Sequence, residues 1–322
     1  MKKIQIHTYD ALWPVQYDHI LASIKTSLGE RLLDAHHVGS TAVPGLCAKP
    51  IIDIILCVST LDDAIPCLKV LGYAFKGEVN IPFRAYFTKK DHVHLHVYEK
   101  DHPEIALNLT FRDYVRAHPE VKDQYAALKK SLLKDTASHE KGSGRFSGYT
   151  LGKSDFIKGV LRAAGFNKVR MTHATHEDEW HAVKSFRQHT FFDAAGLQDP
   201  YTWTFHHHDH VHLVLYEGVE IRGYTHLKKW GTRACLRIIV IDLPYRGGGF
   251  GTYFLGLCEK WLKSQGVESL HLDASPTSLS FYLKHGYVSA PLNDPDGYPS
   301  DPQDTPLVKE LASRENNIEG LS

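Results

Sequence analysis

Residues 235–262 read CLRIIVIDLPYRGGGFGTYFLGLCEKWL, and this stretch decides the fold of the second half of the chain. The run at 235–241 is mostly apolar and β-branched, which predicts a buried strand. A glycine-rich segment follows it directly. From residue 252 to 265 the apolar residues recur at the spacing of one helical face, which predicts an amphipathic helix. The residues of this face are Phe254, Leu255, Leu257, Cys258, Trp261 and Leu262.

The glycine segment has the composition of a diphosphate-binding loop. Its residues are Arg246, Gly247, Gly248, Gly249, Phe250, Gly251 and Thr252. Glycines let backbone amides approach phosphate oxygens, a helix N-terminus adds partial positive charge, and the arginine adds a full charge. The alternative is a glycine-rich turn without a ligand, which a run of glycines alone would favour. The segment lacks the glycine spacing of dinucleotide-binding loops and the Gly-Lys-Ser/Thr of P-loops.

Around this loop the sequence resembles the GNAT superfamily of N-acetyltransferases, whose signature is Arg/Gln-x-x-Gly-x-Gly/Ala between a central strand and a helix. Arg246, Gly249 and Gly251 match the signature. The resemblance covers about residues 172–312 and includes FYLKHGY at 281–287. It implies an acyl-CoA N-acyltransferase fold, acetyl-CoA as the cofactor, and transfer of acetyl to a primary amine of a small molecule, peptide or protein.

The same resemblance implies roles for particular residues. The glycine loop would hold the CoA pyrophosphate, and the strand backbone near Ile239 and Ile241 would pair with the pantetheine arm. Tyr282 stands where such enzymes keep a tyrosine near the CoA sulfur, as the acid for the leaving thiolate. The alternative is a core aromatic residue beside Phe281.

Two positions depart from the usual pattern of this superfamily. Arg237 stands where many relatives have a glutamate base on the central strand, and Ser275 replaces an asparagine. Ser275 and Ser278 are still expected to contact the cofactor. The identity of the base that accepts the ammonium proton is therefore undetermined. Histidine is a suitable residue type because it already titrates near neutral pH. The candidates are His226, His271 and Asp273.

The first half of the chain carries a second set of motifs. Residues 37–46 read HVGSTAVPGL and 48–54 read AKPIIDI; HLHV follows at 94–97 and FRDYVRAHP at 111–119. These segments are similar to the GrpB family, a divergent branch of the nucleotidyltransferase fold, over about residues 5–165. Fusion to a GNAT domain is a known arrangement in this family. The resemblance implies a mixed sheet with helices, so both halves are expected to be α+β.

Active nucleotidyltransferases use a Gly-Ser turn for the phosphates and an Asp-x-Asp pair with a third carboxylate for two magnesium ions. Asp53 matches the first aspartate, but Ile55 occupies the position of the second, and histidines stand where the third acid is expected. We therefore expect this half to bind a phosphorylated ligand without catalysis. The predicted site comprises Gly39, Ser40, Lys49, Asp53, Arg84, His94 and His96. The alternative is a structural turn in which Asp53 caps local amides.

Two other readings of the whole chain stay open at this point. One is a bifunctional acetyl- and nucleotidyltransferase. The other is a nucleotide- or metal-binding protein with an inert GNAT half.

Composition narrows the class of protein further. Lys and Arg together number 37, as do Asp and Glu, so the formal net charge is zero. The chain therefore has no overall electrostatic attraction for nucleic acid or for anionic membranes. The five cysteines are scattered and form no C-x-x-C pair, which indicates reduced core thiols. No apolar stretch reaches the roughly 18 residues of a membrane span, and no signal-peptide pattern follows Met1. We expect a soluble cytoplasmic protein.

Histidine is unusually frequent, with 22 residues, several of them in the run at 206–212. Zinc sites usually combine histidine with cysteine or carboxylate at turn or helix spacing, whereas alternating histidines on a strand share one face. No metal is therefore expected. The motif DHVHL occurs at both 91–95 and 209–213, but the flanks do not match. We interpret it as a coincidence between two exposed edge strands.

The order of predicted elements indicates two domains, 1–166 and 167–322, because a polar stretch at 167–173 follows an apolar helix. The first half is predicted to contain a buried strand at 50–58, a helix at 61–71, hairpin strands at 84–88 and 92–98 around a turn at 89–91, and helices over 106–133 with a new start at Pro119. The second half is predicted to contain a helix at 177–190, strands at 212–216, 219–226 and 235–241, a helix at 252–265, and strands at 269–273 and 305–311.

Overall fold

The chain forms two units, each built around one mixed sheet. The computed structural model describes residues 4–90, 92–134, 147–294, 296–297 and 301–311. The first unit comprises Met1–Arg170 with Tyr216–Glu220, and the second comprises Met171–Leu215 with Ile221–Ser322. Each unit combines helices with strands, which confirms the α+β class.

Helices in the first unit cover a five-stranded sheet. The helices are α1 (Leu12–Leu28), α2 (Leu61–Val70), α3 (Pro103–Ala117), α4 (Pro119–Leu132), α5 (Gly148–Leu151) and α6 (Ser154–Ala163). The strands are β1 (Leu32–Val38), β2 (Ile52–Val58), β3 (Ala74–Phe75), β4 (Arg84–Lys89) and β5 (Val93–Glu99). The strand order is β1-β2-β5-β4-β3, with β2 and β5 parallel and the other pairs antiparallel.

Strand β2 carries buried apolar residues on both faces, with Asp53 as its polar residue, because both faces are covered. Ile52 and Ile54 belong to a core that includes apolar residues of α1 and α2. Ile55 points the other way, where it is 1% exposed and packs with Val38 and Tyr98. The predicted strand, the helix after it, the hairpin and the new helix at Pro119 are confirmed. Residue 91 of the predicted turn lies outside the described residues.

The second unit is built on a seven-stranded sheet. Its helices are α7 (Glu177–Arg187), α8 (Phe250–Ser264) and α9 (Leu279–Lys284). The strands are β6 (Val169–His173), β7 (His210–Glu217), β8 (Glu220–Trp230), β9 (Arg233–Ile241), β10 (Ser269–Ala274), β11 (Val288–Ser289) and β12 (Thr305–Glu310). The order is β11-β12-β10-β9-β8-β7-β6, with β9 and β10 parallel. A π-helical turn, Gln188–Phe192, follows α7.

One strand was not predicted, and one expectation about strands is wrong. The stretch at 167–173, interpreted as a break between domains, contains the unpredicted strand β6, which lies at the edge of the second sheet. The two DHVHL strands, interpreted as edge strands, are interior strands: β5 lies between β2 and β4, and β7 lies between β6 and β8. The other strands and helices predicted for the second half are confirmed.

The amphipathic pattern of α8 accounts for its packing. Phe254, Leu255, Cys258, Trp261 and Leu262 are all buried, at the predicted helical spacing. Within the described residues, no helix combines the length and the apolar character that crossing a bilayer requires.

Candidate functional site

The glycine loop lies between the end of β9 and the start of α8. Gly247 and Gly249 have φ angles of 83° and 84°, in the left-handed region that favours glycine. A Cβ added at either residue would meet nothing within 4 Å, so backbone conformation rather than crowding selects glycine. The first N–H groups of α8 have no acceptor within the helix, and the helix dipole makes this end partly positive. The loop therefore has the open backbone and the positive end that suit a diphosphate.

Contacts at both ends fix this loop. Arg246 Nε donates to the carbonyl oxygen of Ile241 at 2.8 Å, which ties the loop to β9. Thr252 Oγ1 lies 3.1 Å from His285 Nε2. Because His285 Nδ1 lies 2.7 Å from the carbonyl oxygen of Phe281, Nδ1 carries the proton and Nε2 accepts from the threonine hydroxyl. The loop is thus held between β9 and α9.

The remaining loop residues make looser contacts. The Phe250 ring meets Tyr245 edge-on, with centroids 6.4 Å apart. A Cβ at Gly248 would lie 3.7 Å from the Tyr245 carbonyl oxygen, and one at Gly251 would lie 3.8 Å from Phe281. These are ordinary contact distances, so the need for glycine is weaker here than at the two left-handed positions.

Strands β9 and β10 pair only near their starts. Their pairing ends at Cys235 and His271, while β9 continues to Ile241. The opposite edge of β9 stays paired with β8, where Ile239 lies across from Thr225. Within these described strands, one edge of β9 around Ile239 and Ile241 therefore has no strand partner and can pair with an extended amide chain, although the Ile241 carbonyl oxygen already accepts from Arg246 Nε.

Ser275 and Ser278 form the turn that leads into α9. Their hydroxyl oxygens lie 2.9 Å apart, and Ser278 Oγ also donates to the Ser275 carbonyl oxygen at 3.1 Å. Ser275 Oγ lies 3.2 Å from Thr277 Oγ1. The two serines thus bond to each other, and their predicted cofactor contacts stay a prediction.

Tyr282 lies on α9 in an aromatic environment and is 8% exposed. Its ring centroid lies 5.2 Å from Phe281 and 5.5 Å from Tyr287. Burial, with the nearby Cys258 thiol as a second cause, raises the pKa of Tyr282 to about 12. Its phenol is therefore protonated at neutral pH and can donate a proton.

Arg237 occupies the position where a glutamate base was considered, and it belongs to a partly buried ion-pair cluster. Arg237 NH2 lies 2.6 Å from Asp294 Oδ1 and 2.8 Å from Asp296 Oδ2, and NH1 also contacts Asp294. Lys228 Nζ lies 3.1 Å from Asp296 Oδ1. Burial opposes the charge on Arg237, but the hydrogen bonds with Asp294 raise its pKa above its ordinary value. Sequence reasoning missed both aspartates, which lie after β11 in a segment without regular structure.

A buried histidine network lies on β7 and β8. Arg187 forms a bidentate ion pair with Asp199, at 2.6 and 2.8 Å, and its NH1 lies 3.2 Å from His226 Nδ1. Since arginine only donates, His226 Nδ1 accepts and Nε2 carries the proton. His226 Nε2 lies 2.7 Å from His210 Nδ1, so His210 in turn carries its proton on Nε2, 3.5 Å from an oxygen of Asp296.

His212 has its tautomer fixed in the same way. Its Nε2 lies 3.1 Å from the Thr204 carbonyl oxygen and must donate, so Nδ1 accepts from the Tyr224 hydroxyl at 2.8 Å. Burial lowers the pKa of His210 to about 4 and that of His212 to about 3, and it lowers the pKa of His226 well below its ordinary value. These side chains are therefore neutral at pH 7.

The other two base candidates lie on β10. His271 Nε2 is 3.1 Å from Ser269 Oγ, and burial lowers the pKa of this histidine. Asp273 is partly buried on the same face of the strand, two residues on. Burial raises the pKa of the Cys235 thiol, and the charges of Asp294, Asp273 and Asp296 add to that shift. The base candidates thus differ in exposure to solvent: His226 is buried, whereas Asp273 is partly exposed.

A cleft of about 430 Å³ lies next to α7. Its lining includes His181, Lys184, His189 and Asp199. The cleft has room for a small molecule, and its walls carry both acidic and basic groups.

In the first unit, the turn after β1 rests against Asp53. Gly39 has a φ of 71°, and a Cβ there would lie 2.5 Å from Asp53 Oδ2. Both the conformation and the close approach therefore require glycine. His37, before the turn, stacks on Tyr17 and lies 3.0 Å from Thr41, and burial lowers the pKa of this histidine to about 4.

Asp53 lies between two histidines of β5. His94 Nδ1 is 3.2 Å and His96 Nε2 is 3.7 Å from Asp53 Oδ1. Burial would raise the pKa of Asp53, but the hydrogen bond from His94 and the nearby His96 ring lower it below its usual range. The predicted ligand residue Arg84 donates to the Glu78 carbonyl oxygen at 3.0 and 3.2 Å and lies 3.4 Å from His96 Nδ1. The aspartate and both histidines thus meet, whereas Arg84 is engaged by its own loop.

Ser40 and Lys49 lie near two lysines that sequence reasoning missed. Lys129 Nζ donates to Ser40 Oγ at 3.1 Å and to the Cys47 carbonyl oxygen. Lys49 and Lys153 both place Nζ near the Tyr149 ring. Lysines at helix positions normally extend into solvent, so nothing local marks Lys129 as buried.

Among the described residues, His207, His208 and Asp209 form a group of three potential metal ligands whose ligand atoms all lie within 4.8 Å of one another. They are consecutive, the turn is largely exposed, and Asp209 also lies 3.5 Å from Lys228 Nζ. We assign no ion to them.

Comparison with known proteins identifies both halves. The model of the family described as GrpB protein matches residues 3–163, half of the chain. The chain belongs to the GrpB family. A second family model, the Acetyltransferase (GNAT) family, matches residues 172–287. A GrpB domain is thus fused to a GNAT acetyltransferase domain.

Individual relatives resemble one half each. The UPF0157 protein YqkA of Bacillus subtilis (strain 168) is 37% identical over 166 residues, which are 49% of this GrpB-family chain and 46% of YqkA. The crystal structure of conserved protein GrpB from Enterococcus faecalis is 31% identical, covering 50% of this chain and 96% of that chain, with a TM-score of 0.45. A GNAT-family acetyltransferase structure from Staphylococcus aureus Mu50 is 14% identical, covering 45% of this chain and 100% of that chain, with a TM-score of 0.38.

Proposed function

We propose that the GNAT domain transfers an acetyl group from acetyl-CoA to a primary amine. The observation that carries the proposal is the glycine loop, with two left-handed glycines at the N-terminus of α8 beside the open edge of β9. The loop N–H groups and Arg246 would hold the diphosphate, and the β9 backbone near Ile239 and Ile241 would hold the pantetheine arm. Ser275 and Ser278, in the turn that leads into α9, would make further contacts with the cofactor.

When bound, acetyl-CoA supplies the acetyl group as a thioester with CoA as the leaving thiol. Tyr282 holds a proton through neutral pH and would supply it to the sulfur of the leaving thiol. The amine must lose a proton, and Asp273 is the more direct acceptor because its side chain is partly exposed, whereas that of His226 is buried. His226 has both ring nitrogens hydrogen-bonded, so a role for it as base passes through His210.

The test is release of free CoA thiol by the full chain, supplied with acetyl-CoA and a panel of small amines and amine-bearing peptides. Gly249→Glu places strain and negative charge in the loop and should abolish release. Gly266→Glu is the matched control, because Gly266 also has a positive φ and open surroundings but lies beyond the other end of α8. Equal thiol release by both variants would refute the proposed cofactor site.

For the GrpB domain we propose ligand binding without nucleotidyl transfer. Two-metal catalysis needs carboxylates on both sides of the ions, whereas Ile55 is an apolar core residue and Asp53 is held by histidines. The full chain should release no pyrophosphate from nucleoside triphosphates with magnesium. Release that disappears in Asp53→Asn would instead favour the bifunctional reading.

A further inference from the structure

Three lysines of the GrpB domain converge on two tyrosines. Lys49 Nζ lies 4.6 Å and Lys153 Nζ lies 4.8 Å from the centroid of the Tyr149 ring. Lys129 is 1% exposed, and its Nζ lies 4.6 Å from the centroid of Tyr125. Lys49 lies in the loop before β2, Lys129 lies on α4, and Lys153 directly precedes α6.

The charges of these lysines act on one another. Burial lowers the pKa of Lys153 to about 8, with the charge of Lys49 as the next cause. Burial also lowers the pKa of Lys129 to about 8, and Lys153 contributes to that shift. The negative charge that acts on both Lys49 and Lys153 is that of Asp53. Three ammonium groups and one carboxylate give this cluster a formal charge of plus two.

Like charges in a partly desolvated site are unfavourable unless a counter-charge joins them. A phosphate group carries close to two negative charges near neutral pH and offers three strong acceptor oxygens. Its charge therefore balances that of the cluster. Ser40, at the turn beside Asp53, adds a hydroxyl, and the Gly39 conformation keeps this turn against the carboxylate.

We propose that Lys49, Lys129 and Lys153 bind the phosphate group of a ligand. The inference rests on the ligand-binding role proposed above for the GrpB domain, and it assigns the phosphate to a lysine cluster with two residues, Lys129 and Lys153, that sequence motifs did not indicate. Free phosphate and a phosphomonoester share this chemistry.

A purely structural role for these lysines makes a different prediction. Lys129 bonds to Ser40 and Cys47 and contributes to folding, so its removal would not discriminate. Lys153 instead contacts the same aromatic ring, that of Tyr149, as the like-charged Lys49. Lys153→Met should therefore leave the melting temperature of the ligand-free protein unchanged or higher, whereas loss of a structural lysine would lower it.

The experiment measures phosphate binding by the full chain, through calorimetric titration and thermal shift. Inorganic phosphate should raise the melting temperature of the wild type, and Lys153→Met should weaken phosphate binding roughly tenfold or more. Lys130→Met is the control, because Lys130 is the exposed neighbour of Lys129 on α4. Gly249→Glu disrupts the 246–252 loop, which is an alternative phosphate site. This variant should still show the rise in melting temperature with inorganic phosphate.

Titrations with adenosine 5′-monophosphate and with adenosine distinguish a phosphomonoester from free phosphate as the ligand. Tighter binding of the monophosphate than of phosphate, with no competition by adenosine, indicates a phosphomonoester, while equal binding indicates free phosphate. Wild-type phosphate affinity in Lys153→Met, or an equal loss in Lys130→Met, would overturn the inference. CoA thiol release is recorded for every variant, so a failure of phosphate binding is seen separately from a failure of acetyl transfer.

Discussion

At the scale of single residues, the environment of Tyr282 determines what its hydroxyl can do. The side chain is buried between Phe281 and Tyr287, and its raised pKa keeps the proton on the oxygen. A proton donor to a leaving thiolate must be protonated before the bond to sulfur breaks, which this residue satisfies at neutral pH.

Tyr282→Phe should lower kcat by about 10²-fold with little change in acetyl-CoA affinity, because the hydroxyl is needed only as sulfur gains charge. Tyr287→Phe is the matched control, since it removes a buried hydroxyl that donates to Glu259 at 2.9 Å and should mainly lower stability. Steady-state kinetics and acetyl-CoA titration check both variants. A loss of affinity with unchanged kcat would make Tyr282 a packing residue.

At the scale of elements, the neutral histidines of β7 make the second unit sensitive to acid. His210 and His212 have folded-state pKa values of about 4 and about 3, below the ordinary value of 6.5. The groups around them are Arg187, Asp199, His207, Tyr224, His226, Lys228, Arg237 and Asp296. Between pH 6.5 and 4 the unfolded chain binds more protons than the folded one, so stability is full above pH 6.5 and falls as the pH drops.

His210→Gln should therefore reduce the pH dependence of unfolding by up to one proton, or about 1.4 kcal/mol per pH unit, between pH 6.5 and 4. His208→Gln is the control, because the His208 side chain is 84% exposed. Denaturant unfolding at a series of pH values measures both. A slope in His210→Gln equal to that of the wild type would show that this histidine is not held neutral.

Local patterns predicted most of the elements but not the contacts between distant ones. Strand β2 and helix α8 were predictable because their apolar spacing is visible within ten to fifteen residues or so. Strand β6 was missed because it is short, carries Arg170 and Thr172, and depends on β7 for pairing.

The same limit applies to the candidate sites. The glycine loop is a contiguous motif, and Tyr282 belongs to another, the segment at 281–287, so the sequence indicates both. Asp294 and Asp296 reach Arg237 from 57 and 59 residues away, and Lys129 reaches Ser40 across 89 residues. Such pairs have no local signal, because burial and tertiary contact create them.

At the scale of the whole molecule, a GrpB domain and a GNAT domain occupy one chain, and each has its own candidate ligand. The proposed phosphate cluster lies within the first unit, and the proposed acetyl-CoA loop lies within the second. Variants in one unit therefore serve as controls for ligands of the other.

The most direct test of the central claim is calorimetric titration of acetyl-CoA into the full chain. The wild type and Gly266→Glu should bind one acetyl-CoA per chain, with a dissociation constant on the order of 1 μM to 1 mM, and Gly249→Glu should give no saturable binding. Absence of binding by the wild type, or equal binding by Gly249→Glu, would contradict the assignment of the 246–252 loop as the acetyl-CoA site.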